Sequence, residues 1–298
     1  MKHTGSYIIA AIWILIALFL GGVLIKGLRN SDKSWNILSI GNWFNKDFAP
    51  TNTETIETSY SESAVKAVDV YLVSSSFNMS VGSGDSIIVK IMTNLPEERR
   101  PVAKLDGNTL SVKTPSLLAS GFNFGLYKTS VEVIVPKSFN SSSRTFSRNI
   151  NIEVVSGSVC FDNISAKSFN VESVSGSVKL IDVEADSFEC DSVSGSIKAD
   201  GAIRNFNIES VSGSINVSTS DMINSNSSVE SISGSVHIKL PENNGFTLDY
   251  SSTSGTTHNE FTGFKSDRKS RQGKDRYKNG GENLNISTVS GSIYIEKN

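Results

Sequence analysis

Beyond residue 64 the chain is written in short alternations of apolar and polar residues. The runs AVDVYLV, SIIVKIM, TLSVKT and SVEVIVP lie between residues 64 and 136 and are rich in β-branched side chains. Turn-forming stretches such as GSGD, LDGN and LASG separate them. No segment there carries the 3.6-residue period of a helix. Pro136 closes the last run. The pattern predicts β-strands joined by tight turns. Gly82 and Gly84 in VGSGD fit such a turn; no Gly-Lys-Ser/Thr follows to make a phosphate loop.

From residue 149 the alternation becomes a repeat. NIEVVSGSVC returns as VESVSGSVKL, ECDSVSGSIK, NIESVSGSIN, VESISGSVHI and NISTVSGSIY. The repeat glycines are Gly157, Gly176, Gly195, Gly213, Gly234 and Gly291, with a degenerate Gly255 in STSGTT. The first two spacings are 19 residues, the signature of one structural coil per repeat. Four columns are apolar. Five positions before the glycine stand Ile152, Val171, Cys190, Ile208, Val229 and Ile286, and two before it Val155, Val174, Val193, Val211, Ile232 and Val289. Two positions after it stand Val159, Val178, Ile197, Ile215, Val236 and Ile293, and four after it Phe161, Leu180, Ala199, Val217, Ile238 and Ile295. All four columns are expected to face a common interior. A coil of this length at ~3.3 Å per residue has a perimeter of about 60 Å, which suits a three-sided parallel β-helix. The expected architecture is therefore all-β, a parallel β-helix or β-solenoid, with glycine at the corner where a Cβ would clash.

Outward columns follow from the same count. Glu153, Glu172, Asp191, Glu209 and Glu230 stand four before the glycine and form an acidic ladder. It reads either as a binding strip or as charge that keeps a flat sheet from pairing with others. Cys160 shares a column with Lys179, Lys198, Asn216, His237 and Tyr294, which face water, whereas Cys190 faces in. The two cysteines thus point to opposite sides of the wall, and a disulfide between them is not expected. His237 reads as a surface residue.

The N-terminal part differs. Residues 7–25, YIIAAIWILIALFLGGVLI, hold no charge over a length that nearly spans a bilayer core. They predict a single transmembrane anchor within residues 1–29. Residues 30–63 read as an aromatic juxtamembrane segment, with Trp35, Trp43, Phe44 and Phe48, followed by a flexible polar spacer from about residue 50. Residues 64–148 form the first strand-rich part and 149–298 the repeats. A short N-terminal tail before a long polar domain predicts a single-pass membrane protein whose C-terminal domain is extracytoplasmic.

Charge adds little beyond this. The net charge of −2 gives no field for nucleic acid, and two cysteines exclude a disulfide scaffold. No cofactor motif is present, and the calcium-binding nonapeptide of other β-rolls is missing. An insert at about 259–283 is the exception. Its Lys265, Arg268, Lys269, Arg271, Lys274, Arg276 and Lys278 face only two Asp over residues 265–278, while residues 149–258 hold fourteen acids against five bases. It suggests contact with anionic lipid, envelope polymers, other envelope proteins or a second copy. The chain stops three residues after Ile295, so the final coil is expected to have an open edge through which copies could pair.

SVEVIVPKSF, the repeated VESVSGSV, LPENNGFTLDYSSTSG and the terminal GGENLNISTVSGSIYI together resemble the bacterial membrane-associated β-strand-repeat proteins grouped as candidate adhesins of unknown function. The resemblance covers residues 64–298. It implies a β-solenoid, often tethered by an N-terminal membrane helix, with no catalytic residues in the shared pattern. The favoured reading is a non-enzymatic, membrane-tethered surface scaffold. A self-assembling or envelope-stress accessory protein is the alternative. A carbohydrate-active β-helix enzyme is a third reading that rests on fold analogy alone.

Overall fold

The structure, a computed structural model, describes residues 53–115, 128–140, 146–221, 223–242, 245–261 and 271–298. Twenty-one strands lie within them, all in one sheet. That sheet wraps into two walls meeting at the repeat glycines, an approach wall before each glycine and an exit wall after it. The expected transmembrane segment and aromatic segment lie outside the described residues.

The central rungs follow chain order. In the approach wall, β8 (Asn149–Ser156), β10 (Ser165–Ser175), the second half of β11 (Val178–Ser194), β13 (Phe206–Ser212) and β15 (Ser227–Ser233) pair in parallel succession. In the exit wall, β9 (Val159–Asp162), the first half of β11, β12 (Ile197–Ile203), β14 (Ile215–Thr219) and β16 (Val236–Leu240) do the same. A shorter third side links them, with Ser165 and Ala166 opposite Glu184 and Ala185.

The corner sets this stacking. Gly157, Gly176, Gly195, Gly213 and Gly234 have φ between 125° and 141°, where a side chain is strained. A Cβ on Gly195 would lie 2.0 Å from the carbonyl oxygen of Gly176, one rung away. The N–H of Gly176 donates to Ser194 O at 3.1 Å and that of Gly195 to Ser212 O at 3.1 Å, so the hydrogen-bond ladder runs through the bend.

Both ends depart from chain order. At one end, β2 (Ala67–Ser74) and β3 (Ser76–Gly82) stack on β8 and β9, while β6 (Thr109–Lys113) and β7 (Thr129–Pro136) stack on their far side. Three antiparallel strands finish that end: β5 (Val102–Asp106) on β6, β4 (Ser86–Thr93) on β7, and β1 (Glu54–Ser61) on β4. At the other end, β20 (Asn283–Ser290) and β21 (Ile293–Lys297) stack on β15 and β16. Outside them lie β17 (Gly245–Ser252) and β18 (Thr257–Asn259), and β19 (Gln272–Lys278) pairs antiparallel to β17.

Three expectations are corrected by this. The Gly291 coil is not an open terminal rung: a Cβ on Gly291 would meet Gly234 O at 2.1 Å and one on Gly255 would meet Gly291 O at 1.9 Å, so the last coil in sequence sits between two others. Residues 54–61, read as spacer, are β1, because Ile56 and Tyr60 lie opposite the buried Ile91 and Ile87. The third correction concerns the valine column two before the glycine. Positions five and two before it are an odd number apart, so an unbroken strand cannot turn both inward. The five-before column is buried, and the valine column is only half-buried on the outside.

Serine takes the inward place beside it. Ser173, Ser192, Ser210, Ser231 and Thr288 stack three before their glycines, each 6 % exposed or less. Among the described residues none of these hydroxyls has a hydrogen-bond partner. A further inward column, seven before the glycine, holds Ile150, Phe169, Phe188, Phe206 and Leu284, all fully buried. The serine file is a cost, since a buried hydroxyl without a partner destabilises by about 1–3 kcal/mol. Val154 and Leu72 occupy the same file on adjoining rungs at 0 % exposure, so the site accepts an aliphatic side chain. Ser210→Val is therefore expected to raise stability by about 1 kcal/mol in chemical unfolding. A loss of stability would show that the hydroxyl is satisfied.

Candidate functional site

The outer face of the approach wall is built from two columns that the strand register fixes. The first runs Lys113, Tyr71, Glu153, Glu172, Asp191, Glu209, Glu230, Ser287, Ser251 and Gln272. The acidic ladder expected from the sequence is thus formed, with its five carboxylates on consecutive rungs about 4.8 Å apart. The second runs Lys104, Ser111, Asp69, Asn151, Asn170, Glu189, Asn207, Ser228, Asn285, Asp249 and Lys274. Amides bind along it: Asn170 Nδ2 donates to Asn151 Oδ1 at 2.7 Å, and Asn151 Nδ2 to Asp69 Oδ1 at 2.7 Å. Between Asp69 and Asp249 neither column holds a basic residue.

Glu189 adds a sixth carboxylate to the middle of the face, and its charge adds to the effect of burial on its neighbours. Burial, then Glu189, raises the Asp191 carboxyl above its ordinary range. Burial, then Asp191, Glu230 and Glu189, raises that of Glu209. Among the described residues of these columns, cations stand at the two ends. Lys104 and Lys113 belong to β5 and β6. At the far end β19 alternates, with Lys274, Arg276 and Lys278 exposed and Asp275 and Tyr277 buried. Part of the expected basic loop is therefore an edge strand with its cations on the outer face. Arg271 is exposed just before it, and Lys265, Arg268 and Lys269 lie outside the described residues. Arg276 is tied to its own turn, Nε donating to Asn279 O at 3.0 Å.

The exit wall carries the other expected column, in register from Cys160 through Lys179, Lys198, Asn216 and His237 to Tyr294. His237 stacks on Tyr294 with ring centroids 4.3 Å apart and planes within 8°. Cys160 and Cys190 are free thiols, and Cys190 is fully buried. Burial raises both thiols, with Asp162 adding to the effect at Cys160 and Asp191 at Cys190. Burial of this kind disfavours the thiolate form.

The continuous repeat architecture can be compared with known proteins. The sequence profile of the Toastrack DUF4097 family matches residues 65–296. The chain belongs to that family. Comparison with curated proteins finds no match. Similar solved structures include a candidate cell adhesion protein from Clostridium sporogenes, at 13 % identity over 83 % of this chain and 100 % of that one, TM-score 0.43. A candidate adhesin from Bacteroides fragilis matches at 13 % identity over 82 % and 97 %, TM-score 0.45, and another from Parabacteroides distasonis at 12 % over 84 % and 98 %, TM-score 0.44.

Two arginines of this Toastrack chain escaped sequence reasoning because they fall outside the repeat phrase. Arg204 bridges neighbouring rungs, Nη1 donating to Asp186 at 2.6 Å and Nε to Asp221 at 3.2 Å. Arg148 pairs with Glu62, donates to Val65 O and Phe139 O, and stacks on the Phe139 ring at 4.4 Å. Arg148 clamps a chain crossover, Arg204 ties successive rungs, and both leave the outer face alone.

The acidic face has a pH signature. Asp191 and Glu209 hold protons more tightly folded than unfolded. Their contribution to stability is complete below the ordinary carboxylate range and is lost as pH rises through the raised values. Acidification from neutral pH toward the ordinary carboxylate range should therefore raise this part of the thermal stability. Glu209→Gln should stabilise at neutral pH by about 0.5 kcal/mol and flatten the dependence. A lower melting temperature for Glu209→Gln at neutral pH would contradict the repulsion.

Proposed function

We propose that this Toastrack protein is a non-enzymatic, membrane-tethered scaffold of the cell envelope that holds an anionic envelope polymer at its outer end. The observation that carries the reading is the charge layout of the approach wall. Cations alternate along β19, and carboxylates hold the central rungs of the same wall. The uncharged run at 7–25 supports a single-pass anchor, and β1, the first described strand after it, lies at the opposite end of the solenoid from β19. Eleven rung steps of ~4.8 Å put about 50 Å between them. That separation favours a polymer beyond the membrane over the headgroups of the anchoring bilayer. Alternate Lys and Arg side chains on an edge strand also disfavour end-to-end pairing of copies.

Binding is testable with the full chain in lipid nanodiscs and a soluble linear phosphodiester polymer as probe. Binding should weaken with salt, and Lys274→Glu with Lys278→Glu should reduce affinity roughly tenfold. No binding at low salt, or cleavage of the polymer, would refute the reading. Topology is read by a reporter fused after Asn298, expected to be active outside the cytoplasm. Activity confined to the cytoplasm would reverse the placement.

A further inference from the structure

The first strand of the fold is held more loosely than those that follow. β1 reads ETIETSYS, eight residues with two large apolar side chains, Ile56 and Tyr60. With Thr58 they form its inward side, opposite Ile91, Val89 and Ile87 of β4. Those three β4 residues are 2 % exposed or less, yet no residue of β1 is fully buried. Register gives the reason. In the exit wall β1 lies one strand beyond β4, whereas the approach wall ends at β5, which pairs with β6 alone. Among the described residues, therefore, no strand lies across from β1. It is held by its ladder to β4, by partial packing of Ile56 and Tyr60 on the core, and by two surface ion pairs. These are Arg100 to Glu54 at 2.8 Å and Lys90 to Glu57 at 3.5 Å. Exposed pairs of this kind contribute little.

The next residues are held in a different way. Glu62 pairs with Arg148, whose Nε donates to Val65 O at 3.1 Å and whose Nη1 donates to Phe139 O at 2.8 Å. Val65 is fully buried, and Phe139, under the guanidinium, is 1 % exposed. Arg148 directly precedes β8, so Glu62 and Val65 are tied straight to a central rung. β2 follows, with Val68, Val70 and Leu72 buried between β6 and β8. Within a few residues the chain passes from an edge strand with one neighbour to a strand with two. Arg148 stands at that boundary.

We infer that β1 is a releasable strap. Tension arriving from its N-terminal side loads Glu54 first. The hydrogen bonds to β4 run across the strands, along the solenoid axis. An axial load opens them one after another, from the Glu54 and Thr93 pair toward the Ser61 and Ser86 pair. Peeling stops at Glu62, where Arg148 passes the load to β8. Eight residues are freed, up to about 29 Å of chain, while both walls stay in register. On relaxation the inward Ile56 and Tyr60 set the register in which β1 returns to β4. The solenoid gains reach under load and keeps its outer face. Only the source of the load rests on the proposed anchor; release is a property of the folded domain.

The strap is tested by pulling the full chain in an optical trap between azide-bearing residues in place of Thr53 and Lys198. Both positions are exposed, one just before β1 and the other on the outer face of β12. Extension should begin with a reversible step of eight residues, at a force below that of cooperative unfolding. Glu57→Cys with Lys90→Cys, outward neighbours in register, in a Cys160→Ser background, should remove that step when oxidised and restore it under reductant. Arg148→Met should carry the first step past residue 62. Hydrogen exchange at rest gives an independent reading: amides of 54–61 should exchange at least about a hundredfold faster than those of 67–74. A single rupture without an early step, an early step that survives the oxidised cross-link, or exchange of β1 together with β2 would overturn the inference. An unchanged step length in a folded Arg148→Met variant would overturn the stop at Glu62.

Discussion

The structure depends on one close contact, repeated at every corner. The carbonyl oxygen of each corner glycine occupies the place where a Cβ on the next would stand, about 2 Å from it. Only hydrogen on that carbon lets adjacent rungs approach to hydrogen-bonding distance through the bend. The flanking amides use the approach at once, as Gly213 N–H donates to Ser233 O and Ile215 N–H to Ser235 O, both at 3.0 Å. Register is thereby fixed on both walls from a single point. A slip of one residue in either wall would turn every inward Val, Ile and Phe to water. Stability follows from that register, since each fully buried aliphatic contributes about 1.5–3 kcal/mol and the columns run through every central rung.

Much of this was legible in the text of the chain. A column that reads Ile152, Val171, Cys190, Ile208, Val229 and Ile286 has one physical use, and all six are buried. The acidic column was legible for the same reason, because parity along a strand places Glu153 to Glu230 opposite to it. The valine column misled because hydrophobicity was counted without parity. Val174 lies three residues from Val171, and a strand turns those two side chains to opposite faces. Ser173, polar and unremarkable in the sequence, is the inward one. The phenylalanine column at 169, 188 and 206 could have been found by extending the count two residues upstream.

Rung order was not legible, and the reason is that a column count gives register but not adjacency. Gly291 and Gly255 both fit the outside of Gly234 by pattern alone. What decides between them is completeness. The terminal phrase NISTVSGSIY supplies full-length β20 and β21, which bury Leu284, Ile286, Ile293 and Ile295 between two neighbours. The degenerate coil at Gly255 supplies only a three-residue strand after its corner, and such a rung serves best where nothing stacks beyond it in that wall. The regular coil is therefore spent inside and the irregular one outside.

The same logic governs how the solenoid resists fraying. A linear repeat array in chain order can lose its end coils one at a time, because each contacts only its neighbour. Here β2 and β3 are held between β6 and β7 on one side and β8 and β9 on the other, so the rung at that end cannot leave without the strands that close over it. β20 and β21 are trapped alike between β15 with β16 and β17 with β18. Arg148, bonded to Glu62, Val65 and Phe139, ties the crossover that makes the first interlock. The outer face needs this rigidity: a row of like charges spaced by one rung pushes its own strands apart, and it keeps its geometry only if the ends are fastened. The acidic centre and the fastened ends are in this sense one design, with the corner glycines setting the spacing that both must share.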